Sequence, residues 1–194
     1  MPKKLQDPNF ALYLSPVVLV TSADEVGKPN IFTVVIAGMA CRKPPMVAIG
    51  VHPWVYSHSL IKAAGEFVIN IPSRGLLDKV DYCGSVSGRE VDKFAESGLT
   101  PLPATKVKPP LIKECPVNYE CVVKHTLELG IHHLFVAEVV AVHTDEEILD
   151  ADGRIDIGKF EPVAYVYPRS EYWTLGEPLR KPVRKSGLRK GKKE

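Results

Sequence analysis

The sequence predicts a mainly β fold, a barrel with a few short flanking helices, in one domain. β-branched apolar runs of strand length recur along the chain and are separated by turns rich in Gly, Pro and Asn. The stretches with helical character are short, and no segment repeats. Many strands crossed by few helices are typical of barrels. A chain of 194 residues buries roughly 70% of its unfolded surface, so this fold needs no metal or disulfide to form.

The first half of the predicted fold begins with a β-hairpin. Residues 16–22 are a continuous β-branched run, residues 26–30 contain Gly, Pro and Asn, and residues 31–36 are apolar again. Two apolar runs joined by such a turn predict a hairpin. An irregular stretch ending at Pro44-Pro45 follows, and residues 46–51 predict the third strand.

Short helices are predicted around the fourth strand, residues 66–71. Residues 57–64 form a helix with Ser57 as its N-cap and Gly65 at the C′ position. Residues 76–82 and 91–97 predict two further helices, the second closed by Gly98.

The second half of the chain continues the barrel. The proline-rich residues 101–110 predict an irregular, partly extended connection. Two long strands follow at about residues 117–127 and 133–142, a turn at residues 150–154, and the last strand at residues 163–167.

The charge is divided between a body and a tail. Residues 180–194 contain eight basic residues and one acid, a net +7, so residues 1–179 carry 17 basic and 22 acidic residues, about −5. We expect one domain over residues 1–179 and a basic tail without fixed structure over residues 180–194. The tail either is merely solvated or binds nucleic acid or an anionic surface. The acidic body argues against nucleic acid as the main ligand.

The sequence also bears on location and thiol chemistry. No apolar run reaches about 18 residues and the N-terminus lacks the apolar core of a signal peptide, so we expect a cytoplasmic protein without a membrane partner. The four cysteines, Cys41, Cys83, Cys115 and Cys121, form no Cys-x-x-Cys pair. Four reduced thiols are the expectation.

Several motifs of phosphate chemistry and hydrolysis are missing. There is no Gly-x-Gly-x-x-Gly, no Gly-x-x-x-x-Gly-Lys-Ser/Thr, no Gly-x-Ser-x-Gly and no His-Glu-x-x-His. This argues against Rossmann dehydrogenases, P-loop enzymes and most hydrolases.

Scattered features suit an anion. Ser57 and Ser59 lie at a helix start, where free N–H groups favour a phosphate, although Ser57 could act only as a cap. Ser87 lies in a small-residue loop that leads to Lys93, in the first turn of a helix. A lysine is unfavourable there, so Lys93 either meets a phosphate or is a solvated side chain.

Histidines and aromatic residues offer further candidates. His132 and His133 are neighbours on a strand, so at most one points into a given pocket. A metal site built from these two with Glu128 and Glu138 is a minor alternative, and no metal is expected. Six aromatic residues could cover a planar ligand or simply pack in the core. They are Trp54, Tyr56, Tyr165, Tyr167, Tyr172 and Trp173.

From about residue 15 to 176 the chain resembles a known family in the order of its motifs. They include Pro16-Val17-Val18-Leu19-Val20-Thr21-Ser22, Gly27-Lys28-Pro29-Asn30, Tyr56-Ser57-His58, Cys83-Gly84-Ser85-Val86-Ser87-Gly88, Asp92-Lys93-Phe94, Glu114-Cys115-Pro116 and His133-Leu134-Phe135-Val136-Ala137-Glu138. The order resembles the flavin reductase-like, FMN-binding split-barrel family, which holds flavoredoxins and related ferric or flavin reductases.

The resemblance implies a homodimer of antiparallel split barrels with FMN at its interface. The implied cofactor contacts, together with the anion-binding serines, are Asn30, Thr33, Ile36, Ala37, Gly38, Met39, Ala40, Cys41, Tyr56, Ser57, Ser59, Ser87, Lys93, His132 or His133, and Tyr165. Tyr56, Ser57 and Lys93 match the phosphate-binding positions. The chain departs from the family at Ile36, often aromatic, at Met39, near which an Asn is common, and at residues 52–55, where a cation is common.

The resemblance also implies the activity. A flavin carries its own redox chemistry, which agrees with the lack of an acid–base triad. We expect an NAD(P)H-dependent flavin or ferric reductase, or a flavoredoxin-like electron carrier, that passes electrons to free flavin, a ferric chelate or a protein. One alternative is a non-catalytic flavin-binding or flavin-sensing module that docks a partner protein. Another takes Cys41 and the histidines as a metal or ferric site, in which Cys41 is either a redox thiol or a small core residue.

Overall fold

The computed structural model describes residues 1–5, 7–8, 12, 14–167 and 169–179. The predicted basic tail, residues 180–194, lies outside the described residues. No helix in the described part of the chain is long and apolar enough to cross a membrane.

Most of the described residues with regular structure lie in strands. In chain order the described strands are β1 (Leu14–Pro16), β2 (Val18–Ala23), β3 (Pro29–Val34), β4 (Ala37–Arg42), β5 (Pro45–Val51), β6 (Glu66–Ile71), β7 (Pro101–Leu102), β8 (Leu111–Ile112), β9 (Val117–Leu129), β10 (His132–Thr144), β11 (Val163–Val166) and β12 (Glu171–Thr174). The described α-helices are α1 (Tyr56–Ala64), α2 (Leu77–Ser85), α3 (Lys93–Ser97) and α4 (Ile157–Phe160).

The main sheet is antiparallel throughout and curves into a split barrel, as predicted. Its seven strands have the order β3-β2-β6-β9-β10-β5-β4. The pairing of β4 with β5 is extended by Ile36, just before β4, whose carbonyl accepts from the N–H of Gly50 at 2.8 Å. A Cβ atom added at Gly50 would lie 2.6 Å from Cγ2 of Ile36, so the strands meet closely at a residue without a side chain. A small sheet of β1, β11 and β12 lies beside the barrel.

Strand β2 is buried on both faces because it separates two cores. Val18 and Val20 pack inside the barrel with Phe67 and Phe135. Leu19, which points the other way, belongs to a second core that includes residues of α2 and α3. The continuous apolar run of the sequence therefore reflects a strand covered by helices on its outer side.

The structure corrects two of the predicted boundaries. The stretch after the first hairpin, predicted to be irregular, forms β4, whose sequence lacks β-branched residues and which is held by its pairing with β5. Helix α1 begins at Tyr56 with Val55 at the N-cap and no side-chain cap, so the prediction of Ser57 as N-cap is wrong. Gly65 ends the helix in the left-handed conformation, φ 70°, as predicted.

The proline-rich connection is fastened to the barrel by a buried carboxylate. Glu120 on β9 is 0% exposed and accepts hydrogen bonds of 2.5 to 3.0 Å from the N–H groups of Thr105, Lys106 and Val107 and from the Thr105 hydroxyl. Nε2 of His143 donates a further bond at 2.6 Å. Burial alone raises the pKa of Glu120, but the bonds from Thr105, His143 and Lys106 outweigh it and lower the pKa to about 2.

Candidate cofactor-binding cleft

A cleft of about 410 Å³ opens beside β3. Strand β3 forms one wall, the turn before α1 forms the second, and the end of α2 with its following loop forms the third. Its lining residues are Asn30, Phe32, Thr33, His52, Trp54, Val55, Tyr56, Cys83, Gly84, Ser85, Val86, Ser87, Gly88 and Lys93. The cleft thus unites three segments that are far apart in the sequence.

The loop after α2 approaches β3 closely because it contains glycine. A Cβ atom added at Gly88 would lie 2.0 Å from Oδ1 of Asn30. Nδ2 of Asn30 in turn donates to the hydroxyl of Ser57 at 2.7 Å, and the Ser22 hydroxyl donates to the same oxygen at 3.0 Å. This buried network joins β2, β3 and α1, and the loop packs against its Asn30.

Lys93 is a buried cation at the cleft. It is the first residue of α3, whose N-cap Asp92 accepts from the N–H groups of Phe94 and Ala95. Lys93 is 5% exposed, and its Nζ donates to the carbonyl of Cys83 at 2.7 Å. No ion pair recorded among the described residues includes Lys93. Burial lowers its pKa. An ammonium has three donors, so two can serve a ligand in the cleft.

The N-terminus of α1 contributes a second anion-favouring feature. Val55 and Tyr56, where the helix begins, line the cleft, and the first turn has neither a side-chain cap nor an acidic residue. The free N–H groups and the helix dipole place partial positive charge there. Together with Lys93, this end of the cleft suits a phosphate.

Arg89 is a functional candidate that the sequence analysis missed. Its Nη1 donates to the carbonyl of Trp54 at 3.0 Å, and its guanidinium lies 5.1 Å from the centre of the Tyr56 ring. Arg89 therefore supplies positive charge beside residues 52–55, which contain no Lys or Arg. The contact joins segments more than 30 positions apart, so only the fold reveals it.

The two predicted histidines face different partners. Nδ1 of His133 is 2.9 Å from Nε2 of the buried His58, whose pKa is lowered by burial and by His133. The His132 ring lies 5.7 Å from that of His52, which lines the cleft, whereas His132 itself does not.

The proposed metal alternative finds no support in the geometry. Glu138 forms an ion pair with Lys124 at 3.0 Å, and Glu128 lies 4.0 Å from His133. Among the described residues no group of three or more His, Cys, Asp or Glu side chains is placed to hold a metal ion.

The remaining predicted residues divide among several surfaces. Asn30, Thr33, Tyr56, Ser87 and Lys93 share the cleft, with Ser57 directly behind it. The structure does not bring Ser59 or Tyr165 into it. Ser59 lines a separate hollow and donates to the carbonyl of Tyr56, whereas Tyr165 packs against the Tyr167 and Tyr172 rings.

The predicted contacts on and beside β4 line two surface hollows that are separate from the cleft. Ile36, Ala37 and Gly38 line one of about 360 Å³ together with Leu134 and Tyr167. Met39 and Cys41 line a groove of about 600 Å³ with Met46, Val140 and Val142. Ala40, exposed, lies at a register shift between these two residues. We call Met39, Cys41, Met46, Val140 and Val142 the β4 face.

The comparison with known proteins gives the family. Residues 10–176 match the model of the flavin reductase like domain. The chain belongs to this family. Flavoredoxin of Desulfovibrio vulgaris (Miyazaki F) is similar to it with a TM-score of 0.87 and 37% sequence identity, over 93% of this chain and 97% of that one.

Two further solved structures are similar in fold. An FMN-binding protein of Thermus thermophilus, solved with bound 1-cyclohex-2-enone, has a TM-score of 0.78 and 26% identity over 94% of this chain and 99% of that one. A structure from Shewanella frigidimarina described with a split barrel domain has a TM-score of 0.79 and 21% identity over 88% and 87% of the two chains. The predicted split-barrel fold is confirmed.

Proposed function

We propose that the chain is an FMN-binding oxidoreductase whose Lys93 cleft holds the phosphate of the cofactor. The observation that carries the proposal is the buried ammonium of Lys93, which meets only one carbonyl oxygen and is recorded in no ion pair among the described residues. A buried charge is costly unless it is paired, and a phosphate supplies the pair. The family and the similar FMN-binding protein support a flavin phosphate in particular.

The chain's own side chains bind and orient the cofactor. Lys93 and the first N–H groups of α1 hold the phosphate. Asn30, fixed through Ser57, keeps β3 in register with the Gly88 loop so that the cleft stays open. Bound FMN would supply the hydride and electron transfer itself.

The test is FMN titration of Lys93→Met, which keeps the apolar stem and removes the charge. We expect the Kd for FMN to rise roughly 10- to 150-fold, because a charge-assisted hydrogen bond is lost. The matched control is Lys62→Met, which removes an equal charge from the exposed side of α1. A Kd that is unchanged in Lys93→Met, or a wild-type protein that binds no FMN, contradicts the proposal.

We further propose that the loaded protein accepts electrons from NADH or NADPH and passes them to free flavin, a ferric chelate or a partner protein. The expected result is steady oxidation of one nicotinamide dinucleotide when an acceptor is supplied. Reduction of bound FMN by dithionite, together with no turnover of either dinucleotide, would instead favour the non-catalytic flavin-binding module.

We also propose a homodimer that covers the β4 face. Met39 is 74% exposed and lies in an apolar groove with Val140 and Val142, both also exposed. Exposed apolar side chains gathered in one groove mark an interaction surface.

Light scattering tests the dimer. Met39→Glu should give a monomer, because a carboxylate would be buried without a partner. Val26→Glu is the matched control, since Val26 is also an exposed apolar residue, at 90%, but lies on the β2–β3 turn. A wild-type monomer, or a dimer that survives Met39→Glu, speaks against this interface.

A further inference from the structure

The mouth of the cleft carries aromatic rings that a mononucleotide phosphate at Lys93 does not need. Trp54 is 83% exposed, and its ring lies 4.8 Å from that of His52. The ring of His132, which is outside the cleft lining, lies 5.7 Å from that of His52. We call Trp54, His52 and His132 the aromatic rim.

A second cation lies beside this rim. The exposed residue Arg89 donates one hydrogen bond, from Nη1 to the carbonyl of Trp54. A guanidinium has five N–H donors in a planar fork, so others can bind a phosphate. The cleft lining therefore includes one buried cation, Lys93, and an exposed indole, Trp54, and Arg89 lies next to the lining as a second cation bonded to the Trp54 carbonyl.

Two cations and an exposed aromatic ring, namely Lys93, Arg89 and Trp54, suit the two phosphates and the base of a dinucleotide. We infer that Arg89 and the aromatic rim bind the adenosine monophosphate half of a dinucleotide, with its phosphate on Arg89 and its adenine stacked on Trp54. Every base has a π-face that stacks on an aromatic side chain, and indole is well suited to it. The inference rests on the proposed function, because it extends from a cofactor whose first phosphate is at Lys93.

The adenosine monophosphate half can come from two sources. It belongs to FAD bound in place of FMN, or to NADH or NADPH delivered to the FMN-loaded protein. The chemistry at the rim is the same in both, and the experiment separates the two.

The first measurement compares FAD with FMN in wild type, Trp54→Ala and Trp54→Phe. If FAD is the source, Trp54→Ala raises the ratio of the FAD to the FMN dissociation constant by roughly five- to 150-fold, the range of base–aromatic stacking. Trp54→Phe, which keeps a stacking ring, restores most of that ratio. Trp173→Ala is the control, since Trp173 is an exposed tryptophan on β12 outside the cleft lining, and it leaves the ratio unchanged.

The second measurement uses FMN-loaded protein. If the nicotinamide dinucleotide is the source, Trp54→Ala raises KM for NADH or NADPH by a similar factor with little change in kcat, and Trp54→Phe restores it. The inference is overturned if neither the flavin ratio nor KM responds, or if FMN and FAD weaken equally, because Trp54 then acts only on the shape of the cleft. Failure of the proposed function is separate, since wild type then binds neither flavin.

Discussion

Two buried charges in this molecule have opposite surroundings. Glu120 is 0% exposed and accepts bonds from three N–H groups, one hydroxyl and His143. Lys93 is 5% exposed and gives one bond to a carbonyl. The chain satisfies the first charge completely and the second only in part.

The difference separates a structural charge from a binding one. A carboxylate whose acceptor positions are filled by its own chain holds a loop in place and has nothing left for a ligand. A buried ammonium with unused donors lowers the stability of the ligand-free protein. An anion that binds to those donors offsets this cost, so such a group is suited to binding a ligand. Burial alone does not distinguish the two, whereas a count of partners does.

The largest expected effect is on Glu120. Glu120→Ala removes the acceptor of one buried N–H, that of Val107, and of the part-buried Thr105 and Lys106 N–H groups, so we expect the free energy of unfolding to fall by about 3–5 kcal/mol, measured by urea denaturation. Glu66→Ala is the control, because Glu66 accepts one loop N–H, that of Lys108, and should cost about 1 kcal/mol. Equal losses in the two variants would show that the fastening by Glu120 is not special.

Acid should remove the stabilisation that the ionised Glu120 provides. The pKa of Glu120 is lowered from 4.5 to about 2, so its stabilisation is complete above the unfolded value of 4.5 and is lost as the pH falls towards 2. The loss approaches about 3 kcal/mol at the acid end. Denaturation midpoints of wild type and Glu120→Gln between pH 6 and pH 2.5 check this, and the decline should be larger in wild type, because Glu114 and Glu171, whose pKa values are also lowered, remain in both proteins.

A smaller effect is expected at Gly88. In Gly88→Ala the new Cβ meets Oδ1 of Asn30 at 2.0 Å, so either the loop or Asn30 must move. We expect the Kd for FMN to rise about tenfold, the cost of roughly one hydrogen bond. Gly176→Ala, where nothing lies within 4 Å of the added atom, is the control. Unchanged FMN binding in Gly88→Ala would mean that the cleft tolerates the shift.

The smallest expected effect is the stability of Lys93→Met. Because this change removes a buried, poorly paired charge while costing one hydrogen bond, the free energy of unfolding should change by less than about 1 kcal/mol. Thermal and urea unfolding without flavin measure it. A loss as large as that of Glu120→Ala would make Lys93 a structural charge and remove the contrast.

The strands that β-branched runs define could be predicted from sequence, whereas β4 and Ser57 could not. The run that contains β2 predicts a strand by composition alone. Strand β4, Ala-Gly-Met-Ala-Cys-Arg, lacks β-branched residues. It is a strand because it pairs with β5, and that pairing cannot be predicted from local composition. Ser57 is a good N-cap by residue type, but the buried bonds with Ser22 and Asn30 place its hydroxyl elsewhere.

The candidate site could be predicted in part for a related reason. Lys93 was found because a lysine in the first turn of a helix opposes the dipole, which is a local signal. Arg89 and Trp54 gain their meaning from contacts between the α2 loop and the turn before α1, which no spacing reveals. The assignment of Ser59 and Tyr165 to the cofactor stays a prediction, since neither lines the cleft.

The four thiols differ in burial, and this difference allows the covering of one surface to be measured chemically. Burial raises the pKa of Cys83, Cys115 and Cys121, whereas Cys41 on β4 is half-buried on the β4 face. A maleimide should therefore modify native protein at one position before any other. The rate of Cys41 modification, followed by mass spectrometry at a series of protein concentrations, would show how much of the β4 face a second copy covers. No introduced label is needed.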